Sequence, residues 1–300
     1  MKLSTKTKNR IFDISNTIFM LAIVAIMLYP FLNTLAVSLN NASDSLKGGI
    51  YLWPRIFTLK NYETIFENPL LLTAFRNSIL RTFFSTVGGI FMCSMAAYVL
   101  SRQEFVFNKI VTVYFLFTMY VSPGLIPVFF LYRDLGLVNN FWVYVLPGLF
   151  SAFNVIVIRS FMQSLPDSLV EAARIDGSGE FQTYLRVILP LCKPVLATIG
   201  LWIAVGNWND WFTSYIFTRT RGELTTLQYE LMKVLSTSMA AMGNRQGEAL
   251  AVQGASAFSN ITPVAIRSTI TIVAAVPILC VYPFLQKYFV KGVHVGSVKG

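Results

Sequence analysis

Six blocks of about twenty largely apolar residues decide what this chain can fold into. A helix rises about 1.5 Å per residue, so a block of about 20 residues crosses the roughly 30 Å hydrocarbon core of a bilayer. Only 13% of the residues are charged, roughly half the share found in soluble domains. The sequence therefore predicts an all-α, polytopic membrane protein with six transmembrane helices. The spans are predicted near 17–39, 78–100, 110–132, 141–162, 194–216 and 267–289.

Basic residues near the N-terminus predict the topology. The first residues include Lys2, Lys6, Lys8 and Arg10, with no acidic residue before Asp13. Because Lys and Arg beside a span favour the cytoplasmic side, we expect both termini in the cytoplasm. The predicted organisation is a tail at 1–16, a transmembrane domain at 17–289 and a tail at 290–300. Within that domain we expect long outer segments at 40–77 and 217–266 and an inner segment at 166–190.

The sequence lacks the residues that several kinds of functional site need. The three cysteines, Cys93, Cys192 and Cys280, are far apart in sequence and are interpreted as small buried apolar residues. His294 is the only histidine, so neither a histidine-pair metal site nor a Ser-His-Asp triad is available. The chain has no phosphate-binding G-x-x-x-x-G-K-[ST] motif, so another chain would have to bind any ATP. We expect no enzyme activity, no metal site and no nucleic-acid partner.

Prolines within the spans predict local breaks. Proline lacks an amide donor, and the backbone groups that it frees must be satisfied by neighbouring helices or water. Pro123-Gly124 followed by Pro127 therefore predicts a broken or kinked third helix.

The inner segment at 166–190 predicts two short helices outside the membrane. Pro166 and Asp167 favour a helix start, and Gly177 is expected to stop that helix in a left-handed conformation. A second amphipathic helix should then run to Pro190. Residues at helical spacing give the first helix a small, half-apolar face suited to another protein's groove, namely Leu169, Ala172, Ala173 and Asp176.

This segment resembles the EAA loop of ABC importer permeases. Glu171-Ala172-Ala173, then Gly177, and then Leu189-Pro190 stand at the spacing of that motif, with Val187 where the family pattern usually has isoleucine. The Asn207-Trp208-Asn209-Asp210-Trp211 cluster and the C-terminal sequence resemble the carbohydrate-importing MalG-type branch, of the LplC/YtcP kind. The likeness covers essentially the whole chain.

The resemblance implies a MetI-like permease fold and a sugar-transport role in a bacterial cytoplasmic membrane. It implies a second permease subunit, two ATPase subunits that carry ATP and magnesium, an extracytoplasmic solute-binding protein and an oligosaccharide substrate, so no cofactor is expected in this chain. Within the branch, the likeness favours plant- or algal-type oligosaccharides, including those that contain uronates. The implied ATPase-coupling residues are Glu171, Ala172, Ala173, Asp176, Gly177, Lys291 and Lys299.

A sugar path needs aromatic platforms beside hydrogen-bonding groups, because sugars have apolar C–H faces and many hydroxyls. The fifth span supplies both within little more than one helical turn. An aromatic belt at the outer membrane surface explains the same cluster equally well. The candidate substrate-path residues are Asn207, Trp208, Asn209, Trp211 and, beside the predicted break, Tyr120.

Two other function classes compete with the permease interpretation. An ion-coupled secondary transporter would need a buried carboxylate near mid-membrane, and Asp210 is the candidate. A membrane-embedded enzyme would need a catalytic constellation within a span, and the sequence offers none.

Overall fold

Helices account for nearly all of the regular structure in the computed structural model, which describes residues 5–243 and 262–296. Within those ranges the only β-type pairing is an isolated antiparallel bridge between Asn40 and Phe57. The chain divides into two compact units. The first consists of Met1–Pro69 with Lys233–Ala275, and the second of Leu70–Met232 with Val276–Gly300.

The first part of the chain contains the helices up to the end of the fourth predicted span. They are α1 (Thr5–Ser38), α2 (Ala42–Ser45), α3 (Lys60–Glu67), α4 (Pro69–Ser101), α5 (Asn108–Tyr120) and α6 (Leu125–Asp134). Two 3₁₀ turns, Phe141–Tyr144 and Leu146–Gly148, then lead into α7 (Ala152–Met162).

The second half begins with the segment that resembles the EAA loop. Its elements are α8 (Ser168–Ile175), α9 (Glu180–Thr183), a π-helical turn (Tyr184–Ile188) and α10 (Leu189–Leu191). The remaining elements are α11 (Lys193–Asn209), α12 (Phe212–Phe217), a 3₁₀ turn (Gly222–Leu224), α13 (Leu227–Gly243) and α14 (Pro263–Gly296).

Three of the described helices are each long and apolar enough to span a membrane, and up to six spans result if each of three bent helix pairs counts as one. The three unbroken helices are Asn9–Ser38, Pro69–Ser101 and Pro263–Val281. The predicted break of the third span is confirmed, because α5 and α6 meet at 114°. Gly124 starts α6 at a φ of +83°, a conformation that only glycine adopts without strain.

The fifth predicted span differs most from the structure. The sequence predicts one helix over 194–216, but α11 ends at Asn209 and Asp210 has an extended backbone with ψ of 109°. The side chain of Asp210 accepts a hydrogen bond from Thr213 N and so starts the separate helix α12. The fourth span is also bent, by 43° between Gly148 and Ala152, and α14 continues as a helix to Gly296.

Polar contacts make the connection between α1 and α4 an ordered structure. Asn61 donates to the carbonyl oxygens of Ser38 and Asn40 at 2.8 Å each, and all three residues are buried. The carboxylate of Asp44 accepts from Asn40 and from the Arg55 guanidinium. These two partners hold the pKa of Asp44 below its usual value.

The second unit has a core where α4, α7 and α11 meet the segment that contains α8. Fully buried residues there include Ala97, Val155, Ile158 and Ile199, and Val170 of α8 belongs to the same cluster. All three cysteines are free. Cys93 and Cys192 are buried as expected, whereas Cys280 is exposed.

Candidate functional sites

The turn after α8 has the geometry that its sequence predicts. Gly177 has a φ of +79°, which confirms the expected left-handed conformation. Its amide donates to Arg174 O at 3.0 Å, and Ser178 N donates to Ala173 O at 2.9 Å. This pair of bonds is the Schellman arrangement, which satisfies the last carbonyl groups of a helix and requires a residue at positive φ. Gly177 therefore fixes the angle between α8 and α9.

The two faces of α8 have different surroundings. Val170 and Ala173 are 4% and 7% exposed and pack toward the core. Glu171, Ala172 and Asp176 are exposed, as a partner-binding role requires. Ala173 therefore backs the exposed surface and does not form part of it.

One residue of that surface was missed by the sequence analysis. Ile175 is 86% exposed although it lies outside every predicted span. Its position four residues after Glu171 places it on the same helix face. An apolar residue between the charged Arg174 and Asp176 is the signal that would have identified it. The exposed face of α8 is formed by Glu171, Ala172, Ile175 and Asp176.

The guanidinium of Arg174 binds two carboxylates. It makes a bidentate pair with Glu104, with nitrogen–oxygen distances of 2.5 and 2.6 Å, and contacts Glu180 Oε1 at 2.8 Å. Glu180 also accepts from the Tyr98 hydroxyl at 2.8 Å. Hydrogen bonding from Arg174 lowers the pKa of Glu104, and the two carboxylates raise the pKa of Arg174. The sequence analysis did not identify this cluster, because Glu104 lies 70 residues from Arg174.

A π-helical turn lies between α9 and α10, near the end of the segment that resembles the EAA loop. Pro190 has no amide donor, and its ring crowds the carbonyl four residues earlier, so a regular α-helix cannot continue through it. Leu189 N donates instead to Tyr184 O, five residues back. The Tyr184 side chain is 1% exposed, and its hydroxyl lies 2.8 Å from the Ser94 hydroxyl of α4. This contact anchors the segment on α4.

The two C-terminal coupling candidates lie at or beyond the end of the described structure. Lys291 is in the last turns of α14. Lys299 lies outside the described residues, so its predicted role stays a prediction.

The structure brings most of the substrate-path candidates together at the end of α11. Trp208 is 7% exposed and packs edge-on against Phe75, with ring centroids 6.2 Å apart. Asn207 donates to Ile203 O within its own helix, and Asn209 is exposed. Trp211 packs against Phe212 and Tyr215.

Tyr120 does not join that group. It is 87% exposed at the α5–α6 break, and in the part of the chain that the structure describes it makes no ring contact or side-chain hydrogen bond with Asn207–Trp211.

An apolar cavity of about 350 Å³ lies beside Trp208. Two threonine hydroxyls of α4, those of Thr82 and Thr86, are buried there without a hydrogen-bond partner among the described residues. Residues of α11 and α14, such as Leu201 and Pro277, also line the cavity. Trp208 therefore lines a space between α4, α11 and α14.

A buried ion pair joins α4 to the break after α11. Arg81 is 3% exposed at its side chain and contacts Asp210 Oδ2 at 2.6 Å and Asp210 O at 2.8 Å. Its guanidinium also lies 4.6 Å above the Tyr144 ring. Asn77, one turn earlier on α4, donates to the carbonyl oxygens of Glu223 and Thr225. Asp210 is thus held by a buried cation and is not a free carboxylate.

The sequence analysis considered Asp210 without its partner. Arg81 falls within the predicted span at 78–100, and an arginine at that depth is costly unless it is paired. The presence of Arg81 in a span could therefore have predicted that a carboxylate lies close to it.

We expect the charge of Asp210 to be needed to neutralise Arg81. Asp210→Asn keeps the shape of the side chain and leaves a guanidinium buried without its counter-ion, which should lower the free energy of unfolding by about 3 kcal/mol. Arg81→Met combined with Asp210→Asn should recover much of that loss. The measurement is unfolding of the purified protein in mixed detergent micelles.

The matched control is Asp134→Asn, because the Asp134 pair with Arg133 has side chains that are 66% and 56% exposed. It should change stability little. If the double variant is as unstable as the sum of its two single variants, the ion pair does not have this role.

Comparison with known proteins gives consistent matches along the chain. The family described as "Binding-protein-dependent transport system inner membrane component" matches residues 89–295. Protein LplC of Bacillus subtilis is 34% identical over 97% of this chain and 96% of its own length. The polygalacturonan/rhamnogalacturonan transport system permease protein YtcP of the same organism is 32% identical, over 98% of this chain and all of its own length.

A solved structure agrees with these matches. A chain from a bacterial ABC transporter involved in the import of the acidic polysaccharide alginate superposes with a TM-score of 0.81 and 28% sequence identity. The superposition covers 96% of this chain and 100% of that one.

Proposed function

Because the chain belongs to the family of binding-protein-dependent transport system inner membrane components, we propose that it is the permease subunit of an ABC importer for oligosaccharides. The observation that carries this proposal is the α8 surface. One face of α8 packs into the core of the second unit, and the other exposes Ile175 beside Glu171 outside the spans. Because Val170 and Ala173 hold α8 against the core, its exposed face has a fixed shape to which another protein can dock.

We propose that the partner at this surface is an ATPase subunit. Two such subunits would bind ATP and magnesium, since this chain carries no phosphate-binding motif. When ATP brings them together, they would displace α8, and the spans would change between outward-open and inward-open arrangements. The sugar is passed inward without chemical change.

The exposure of several apolar helices supports the proposal that further subunits contact this chain within the membrane. The described α5 and α6 bury no side chain, and the span of α1 is equally exposed. Such surfaces suit contact with lipid and with a second permease subunit, which would form the other half of the pore. A solute-binding protein would deliver the sugar from outside. We expect both termini to lie in the cytoplasm, as the basic N-terminal tail favours.

We propose that the transported oligosaccharides include acidic ones. The printed names of YtcP and of the structural neighbour refer to pectic polymers and to the acidic polysaccharide alginate. The formal net charge of +10 is compatible with an anionic substrate.

Gly177→Val should uncouple the permease from ATP hydrolysis. A β-branched residue at a φ of +79° is strained, so α9 would leave α8 at a different angle and the docking surface would change shape. In proteoliposomes that contain the full complex, oligosaccharide-stimulated ATPase activity should fall by about tenfold, as expected for about 1.4 kcal/mol of lost coupling.

The matched control is Gly179→Val in the same loop. Gly179 has a φ of −72°, and a Cβ added there meets no atom within 4 Å. This variant should keep most of the stimulation. Equal activity in Gly177→Val and the native complex would contradict the coupling role of the turn.

Asn207→Ala and Trp208→Ala should remove the proposed sugar path without preventing assembly. Each should reduce oligosaccharide uptake by at least about tenfold, the effect of losing one contact worth about 1.4 kcal/mol. Trp202→Ala is the control, because Trp202 lies on the same helix but is 46% exposed and packs on Phe153. Normal uptake by both test variants would exclude this path.

A further inference from the structure

The Arg174 cluster joins three separate stretches of the second unit. Arg174 lies on α8, Glu104 lies in the connection between α4 and α5, and Glu180 is the first residue of α9. The same guanidinium binds both carboxylates, and it binds Glu104 through two parallel nitrogen–oxygen contacts. A bidentate pair of this kind fixes orientation as well as distance.

The cluster continues into α4 through a buried side chain. Tyr98, 5% exposed in the last turns of α4, donates its hydroxyl to Glu180 Oε2. Its ring packs against Tyr184, with centroids 5.4 Å apart, and the Arg102 guanidinium lies 4.9 Å above it. Glu180 is therefore held by a residue that the core keeps in place, and Arg174 is held by Glu180.

Without these ion pairs, the chain itself and apolar packing would connect α8 to the spans. The preceding residues lead to α7, the following elements lead through the π-helical turn to α11, and Val170 packs in the core that α4, α7 and α11 share. Hydrogen-bonded ion pairs add fixed directions to this apolar packing. The pair with Glu104 links α8 directly to the α4–α5 connection, and the hydrogen bond from Tyr98 to Glu180 adds an oriented link to α4.

We propose that Arg174 is a positioning residue that makes α4 and α5 move together with the coupling helix. The inference rests on the proposed function, in which a partner ATPase displaces α8. Glu104 and Glu180 transmit that displacement from Arg174 to the C-terminal end of α4 and the start of α5. Breaking the cluster lowers the transport obtained per ATP, because the ATPase still docks on α8 while the end of α4 and the start of α5 follow its displacement less closely.

The geometry requires arginine and not just a positive charge. The planar guanidinium reaches Glu104 with two nitrogens and Glu180 with the Nε edge and one of the same nitrogens. A lysine ammonium is a single point charge and cannot hold both carboxylates in this arrangement. Arg174→Lys therefore keeps the charge but removes the orientation.

The test compares transport with hydrolysis in the complete complex. Native, Arg174→Lys and Glu104→Gln complexes are reconstituted in liposomes with their ATPase, second permease and binding protein. Alginate oligosaccharides serve as the probe, together with pectic oligosaccharides. The readout is the number of sugar molecules taken up per ATP hydrolysed, which a general loss of folded protein does not change.

We expect both variants to assemble and to keep sugar-stimulated hydrolysis, while uptake per ATP falls by about fivefold or more. The double variant Arg174→Glu with Glu104→Arg exchanges the two charges. Its uptake per ATP should lie between that of the single variants and that of the native complex. Lys109→Ala is the control: Lys109 is an exposed cation at the start of α5 that makes no ion pair within the described residues, and its ratio should stay native.

The outcomes separate the inference from the function on which it rests. An unchanged ratio in Arg174→Lys and Glu104→Gln, or an equal fall in Lys109→Ala, would overturn the role of Arg174 and leave the importer intact. A native complex that shows neither stimulated hydrolysis nor uptake with either probe would instead contradict the proposed function.

Discussion

A guanidinium inside a membrane-spanning helix has to be neutralised where it lies, and the Arg81–Asp210 pair meets this requirement. The pair sets the local structure around it. Asp210 ends α11, caps α12 through Thr213 N and receives Arg81 from α4. Asn77, also on α4, holds the chain after α12 by donating hydrogen bonds to two backbone carbonyl oxygens. The break that carries Trp208 and Trp211 therefore has a fixed position relative to α4.

Two polar contacts of α4 link it to the two regions that act in the proposed transport cycle. Arg81 and Tyr98 are separated by about 25 Å along the helix at 1.5 Å per residue. Arg81 holds the segment beside the proposed sugar path, and Tyr98 reaches the coupling segment through Glu180. A rigid helix with a specific contact at each end is suited to transmit a displacement across the membrane. In the proposed cycle, α4 and α11 would lie between the ATPase contact and the sugar path.

Local signals in the sequence predicted the local features, and contacts across long separations could not be predicted. The break at Gly124 and the positive φ of Gly177 follow from residues that lie side by side. The interruption of the fifth span depends on both kinds of contact, because Asp210 accepts locally from Thr213 N but is also bound by Arg81, 129 residues away. The inward orientation of Ala173 depends on the core that Val170 joins, and no motif spacing reveals it. The importer class itself was predicted correctly, from the EAA-like motif and the likeness along the chain.

The central claim is that ATP, and not an ion gradient, drives transport through this chain. The alternative, an ion-coupled secondary transporter, would use the carboxylate of Asp210 to bind the ion. In the structure that carboxylate forms an ion pair with Arg81. The direct test is oligosaccharide uptake into proteoliposomes that hold the full complex, with ionophores collapsing proton and sodium gradients. The account predicts undiminished uptake when the ATPase side receives ATP, and none with a non-hydrolysable analogue. Uptake that needs a gradient and proceeds without ATP would contradict it.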